Sequence, residues 1–157
     1  MPVQVCSLIC KEPQKIPADG RYHIVRFGFG AESSDRHRMH EAEQPDGVST
    51  TFAHDRAGLI WPSMSGWGEL KALVYWAAGP YSELRSRFVR DPLNLSTGED
   101  STCTEDSAAT AGAQFRAKAW AMFVTPGTPV ALMVRHNGLT PVALTHAQFK
   151  LAISDVA

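Results

Sequence analysis

The side chains here with the widest chemical repertoire are six histidines and three cysteines. His37 and His40 stand in DRHRMHE, an H-x-x-H spacing that would set two imidazoles on one helix face for a metal ion. The surrounding segment 30–47 is polar and lacks an apolar period, and Glu41 is the only further ligand nearby, so a solvated loop is expected. His136 and His146 flank the final hairpin and could titrate between about pH 5 and 8, as any histidine can. They are expected at a strand end or a subunit contact. A strand-borne metal site would need H-x-H followed by a glutamate, and the sequence has none.

Nucleophilic chemistry has as little to work with. SMSG at 63–66 lacks the leading glycine and the strand-to-helix setting of a nucleophile elbow. Cys103 lies among Glu99, Asp100, Glu105 and Asp106, which disfavour a thiolate. Cys6 and Cys10 are too isolated for a zinc set and read as reduced thiols. The carboxylates of 96–113 have no fixed geometry for glycosidase chemistry, and a solvated loop is expected there in preference to a calcium site. These readings point to a protein that is not an enzyme and has no cofactor or metal site.

A chain of 157 residues suffices for one domain that hides roughly 70% of its unfolded surface. With 15 basic and 16 acidic side chains the net charge is −1, which disfavours nucleic acid as a partner. The longest apolar run, Ala72 to Ala78, is far shorter than the roughly 20 residues of a membrane helix, so no membrane insertion is expected. The N-terminus has no secretory-signal pattern, and synthesis in a cytoplasm is expected.

Any site must be positioned by strands. Prolines punctuate residues 1–20, which suits an extended arm lying across a neighbour, ahead of a domain over 21–157. Residues 21–29 (RYHIVRFGF) are β-branched and aromatic and predict a strand. Leu70, Ala72, Val74 and Trp76 alternate with Glu69, Lys71, Leu73 and Tyr75, a strand with one half-polar face, and AAGP then turns the chain. Over 83–88 the period of two favours a strand, although Leu84 and Phe88 also have helical spacing. Residues 96–113 predict a second long loop, and Phe115–Val124 an inner strand. Val130, Leu132 and Val134 alternate up to Asn137-Gly138, a tight-turn signal. Phe149, Leu151 and Ile153 then mark a closing amphipathic strand. Short strands with turn signals and no long helix give an all-β sandwich or barrel.

The run GLIWPSMSGW (58–67), followed by a strand ending in Trp76, resembles the glycine, apolar, proline, glycine, aromatic signature of C1q and tumour-necrosis-factor-like jelly rolls. TPGTPVALMVRHNG and AQFKLAI resemble the last two strands of such domains, over about residues 21–157. Gln148-Phe149-Lys150-Leu151 departs from the serine-phenylalanine-serine-glycine sequence usual near their end. The resemblance implies a jelly-roll β-sandwich, and a trimer in which one sheet packs around the three-fold axis.

The segments RYHIVRFGFG, DRHRMH, AGLIWP, YSELRSRFVRDPL, PVALMVRHNG and THAQFKLAI also resemble small virion structural proteins of tailed phages infecting actinobacteria. That resemblance implies a virion location and a major capsid or tail protein as partner. The function it implies is a capsid-decoration or minor capsid protein, with a minor tail or fibre protein binding host-surface glycan as the alternative.

For a homotrimer, the candidate interface residues are Trp61, Trp67, Leu73, Tyr75 and Tyr81, with Arg85, Arg87 and Arg90 supplying polar contacts beside Glu83. Each large apolar side chain buried this way contributes roughly 1.5–3 kcal/mol. The competing reading is that the aromatics are all core of one sandwich. For glycan binding, Trp61 and Trp67 are the candidate stacking platforms.

Overall fold

The computed structural model describes residues 2–156. Nine strands follow in chain order: β1 (Val3–Cys10), β2 (Gln14–Ile16), β3 (His23–Ile24), β4 (Gly66–Trp76), β5 (Glu83–Arg90), β6 (Asp100–Ala108), β7 (Gln114–Val124), β8 (Val130–His136) and β9 (Val142–Ser154). One 3₁₀ turn, Asp55–Gly58, is the only helical element among the described residues. Two antiparallel sheets form, β1-β9-β4-β7 with β2 also on β9, and β3-β8-β5-β6. The fold is a jelly-roll β-sandwich, all-β as the alternation of the sequence implies.

Strands that read clearly in the sequence have one face on the core. Leu70, Val74 and Trp76 of β4, Leu84 and Phe88 of β5, Leu132 and Val134 of β8, and Phe149, Leu151 and Ile153 of β9 are all buried between the sheets. Phe149 joins the layers, stacked on Phe88 at 5.9 Å and tilted to Phe27 at 6.4 Å. A smaller cluster of Ile24, Leu59, Trp61 and Ala131 lies on the outer side of the four-stranded sheet, under the segment carrying the 3₁₀ turn.

Four expectations are corrected. Residues 1–20 are not an arm outside the domain: β1 pairs with β9 along its whole length and buries Cys6, Leu8 and Cys10, while the prolines fall outside the strands they flank. The acidic stretch 96–113 is not all loop, since it holds β6. An edge strand wet on most of its surface needs no apolar period, and the Arg85–Asp106 and Arg90–Asp100 ion pairs offset its acidity. Strand β7 is the edge of its sheet, not an inner strand. Asn137-Gly138 makes no two-residue hairpin, because β8 and β9 belong to different sheets. There the Asn137 side-chain oxygen accepts from the backbone N–H groups of Ser82 and Glu83, which fixes the crossing.

Candidate functional site

The five-stranded sheet turns one face to the core and one outward. Register places Trp67 of β4 opposite Phe123 of β7, Leu73 opposite Ala117, and Tyr75 opposite Phe115. Between them, Glu69 faces Ala121 and Lys71 faces Ala119. On β9 the same rows continue through Ser154, Ala152, Lys150, Gln148 and His146. The far edge, β1, carries Val3 and Val5. This outer face is a run of aromatic and small apolar residues with four formal charges, Glu69, Lys71 and Lys150 in its centre and Lys15 of β2 at its border.

The face is open. Phe115 is 59% exposed, Phe123 58%, Val3 51% and Trp67 38%. The aromatics pair across the ladder: Trp67 meets Phe123 edge-on at 4.9 Å, and Tyr75 lies over Phe115 at 4.2 Å. Such pairs hold the rings as fixed flat surfaces. Strand β7 has no neighbour on its other side among the described residues, so an 11-residue edge adjoins the patch. Trp120, on the same strand, is 49% exposed at this edge.

Of the residues proposed from sequence, Trp67, Leu73 and Tyr75 lie on this face. Trp61 and Tyr81 do not. Trp61 is packed in the small cluster behind the other sheet. Tyr81 is buried, its hydroxyl donating to Ala77 O at 2.7 Å and accepting from Gln114 at 3.3 Å, its ring beside Trp76 and His136. Both correct the expectation of an interface role, since neither ring is offered to a partner. Arg85 and Arg87 are on the outer face of the opposite sheet, where Arg85 pairs with Glu83 and Asp106. Arg90 pairs with Asp100 and donates to Phe123 O at 3.3 Å at the sandwich rim. The proposed residues thus separate onto three surfaces. The sequence reading missed Phe115 and Phe123, whose signal was the alternation Phe115, Ala117, Ala119, Ala121, Phe123 on one side of a strand.

The chemically capable side chains are placed for structure. His40 is buried, against the expectation of a solvated loop: Nδ1 lies 2.6 Å from Glu32 Oε1, Nε2 donates to Ala57 O at 2.7 Å, and the ring stacks on Phe29. His136 is also buried, donating from Nε2 to Ile16 O at 2.9 Å and accepting Gly138 N–H on Nδ1 at 3.0 Å, which fixes a neutral tautomer. His146 is half-buried on the outer face, opposite Tyr75. Burial, with Asp35 nearby, pushes the Cys6 thiol up, and burial raises Cys10 as well, so neither is a ready nucleophile. Among the described residues no three His, Cys, Asp or Glu side chains are grouped to hold a metal ion, and no helix is long and apolar enough to cross a membrane.

No family model matches the sequence, and no curated protein matches it either. Solved structures do share the fold. The Eiger TNF of S. frugiperda superposes with a TM-score of 0.61 at 12% identity, covering 100% of this chain and 96% of that one. The globular domain of zebrafish complement 1qA gives 0.60 at 11%, covering 94% of each. Murine APRIL gives 0.63 at 10%, covering 98% and 100%. At these identities the likeness shows the fold, a C1q/TNF-like jelly roll.

Proposed function

We propose that this protein is a non-enzymatic structural subunit of a phage virion that closes on two further copies of itself through the outer face of the five-stranded sheet. The observation that carries the reading is that face: Trp67, Phe115 and Phe123 are open to solvent on a surface with few formal charges. A monomer gains nothing from leaving such rings wet, and extended apolar patches on soluble proteins mark contact surfaces.

Its dimensions suit that use. Four ladder strands at a spacing of about 4.8 Å and an 11-residue β4 at about 3.3 Å per residue span roughly 19 by 36 Å, close to the ~800 Å² per partner of a standard interface. A face with so few charges among its rings suits a like partner. The C1q/TNF-like fold and the trimer implied by the sequence resemblance favour three-fold closure, which consumes identical surfaces without leaving an open end.

The virion assignment is supported by the likeness of the six quoted segments to actinobacteriophage structural proteins. Capsid decoration is the preferred place, the polar outer surface of the other sheet and its loops being left for the particle. The test is mass spectrometry of purified virions with imaging of particles lacking the protein. Stoichiometric copies, and missing three-fold density on the shell, support the reading; absence from purified particles contradicts it.

The alternative, a tail or fibre protein that binds host glycan, is favoured by one observation, the half-exposed Trp120. Trp61 is buried and gives it no platform. Glycan-array binding lost on Trp120→Ala, with assembly intact, would favour it.

A further inference from the structure

The other side of the sandwich carries a cluster of opposite character. On the outer face of the four-stranded sheet, Arg85 of β5 stands directly opposite Arg135 of β8, and Arg87 follows two positions along. Like charges directly across a ladder repel. Of the two carboxylates in the cluster, Asp106 pairs with Arg85, and Glu83 pairs with Arg85 while also lying in the field of Arg135. Arg87 and Arg135 have neither an ion pair nor a side-chain hydrogen bond among the described residues. The Tyr22 ring lies against both guanidiniums, 3.8 Å from Arg87 Cζ and 5.8 Å from that of Arg135.

Three polar atoms of this group, Tyr22 Oη, Arg87 Nε and Arg135 Nε, are shut away from water with no hydrogen-bond partner. Buried donors are ordinarily satisfied, and an exception needs a cause. Stacking on Tyr22 takes the faces of the guanidiniums and leaves their terminal edges free, the geometry in which arginine grips planar or tetrahedral oxyanions. The carboxylate nearest in sequence, Asp19, is held by His23 and the Arg21 backbone N–H.

We propose that Arg87 and Arg135, fixed by Tyr22 and flanked by Arg85, form a binding site for a tetrahedral oxyanion, a phosphate or sulfate group. The three guanidiniums outnumber the two carboxylates by one charge, and a tetrahedral oxyanion can meet the edges of two guanidiniums at once. The site lies on the sheet opposite the aromatic face and does not depend on the assembly proposed above.

The test titrates inorganic phosphate, inorganic sulfate, a sugar phosphate and a sulfated monosaccharide into the full chain, followed by NMR shifts and thermal unfolding, against chloride at matched ionic strength. Saturable binding is expected that moves the Tyr22 and arginine side-chain resonances and weakens at least tenfold in both Arg87→Gln and Arg135→Gln. Arg26→Gln, remote on another cation–π pair with Phe52, should bind like the unaltered protein. Binding of the inorganic ions alone identifies a free ion as ligand, and tighter binding of the esters identifies a carried group; either supports the site. If a variant fails to fold, the resonance map of the unaltered protein decides. A response equal to that of chloride, shifts away from Tyr22, or affinity unchanged in folded variants overturns it.

Discussion

Tyr75 and Phe115 lie ring over ring, 4.2 Å apart, on neighbouring strands of a sheet surface that faces away from the core. Trp67 and Phe123 form a second cross-strand pair, edge-on at 4.9 Å, eight residues along the same two strands. Two cross-strand aromatic pairs on an outward face, separated by Ala117, Ala119 and Ala121, make a flat platform whose centre a partner can approach closely.

Substitutions on that platform should break assembly and spare the fold. Ala119→Arg and Phe123→Lys are expected to reduce the proposed trimer to monomer in light-scattering measurements, with far-ultraviolet circular dichroism unchanged. Neither side chain contributes to the core, so collapse of the monomer fold in both variants would show that this surface serves the subunit instead.

Asp91 anchors the loop between β5 and β6. It is fully buried at φ +48, a left-handed conformation that aspartate tolerates better than most residues, and accepts backbone N–H groups from Leu95 (2.7 Å), Ser96 (2.9 Å) and Gly98 (2.8 Å). Burial by itself would raise its pKa, but these hydrogen bonds prevail and hold the carboxyl below the usual range. A lowered native pKa adds stability that is present above the unfolded value near pH 4 and is lost as pH falls through the native one. Asp91→Asn should cost about 1.5–3 kcal/mol at pH 7 in urea unfolding, and the gap should narrow in stronger acid.

His40 is held from both sides of its ring, Nδ1 lying 2.6 Å from Glu32 Oε1 and Nε2 donating to Ala57 O at 2.7 Å. Glu32→Ala is expected to cost about 2–4 kcal/mol and to speed hydrogen exchange across residues 30–47. Glu32→Gln should cost less than half as much, since an amide can donate to a neutral Nδ1. Equal losses in the two variants would show that hydrogen bonding to Nδ1 is not what the Glu32 side chain contributes.

Gly58, first residue of the glycine, proline, aromatic run, is required by packing. A Cβ there would collide with the Val25 carbonyl and the Ile24 side chain, which cannot retreat from the small cluster behind the sheet. Gly58→Ala should destabilise by about 1–3 kcal/mol in thermal or denaturant unfolding, and Gly28→Ala, which meets only ordinary contact with Ala31, should not through crowding.

Residues with a local signature were legible. Period two announced β4, β5, β8 and β9 because each presents one face to the core, and those strands hold Phe88, Leu132 and Phe149. Strand β6 was hidden because its pairing partner, not its own pattern, makes it a strand. Strand β1 was hidden by flanking prolines that lie outside its ladder. For the site, Tyr75 and Trp67 stood out in β4, whereas Phe115 and Phe123 passed as core: an apolar run does not disclose whether its strand is central or at an edge. The burial of Trp61, Tyr81 and His40 depends on contacts from distant segments, such as Ala57 O on His40, that spacing does not contain.

We propose that the outer face of the five-stranded sheet is completed by copies of the same chain. Sedimentation velocity of the unaltered protein across nanomolar to micromolar concentration addresses it directly. Closure by identical copies requires a single species of three chains at micromolar concentration that dissociates on dilution or on Phe123→Lys. A monomer throughout that range, with Trp67 and Phe115 fully accessible to a fluorescence quencher or to oxidative footprinting, would contradict it.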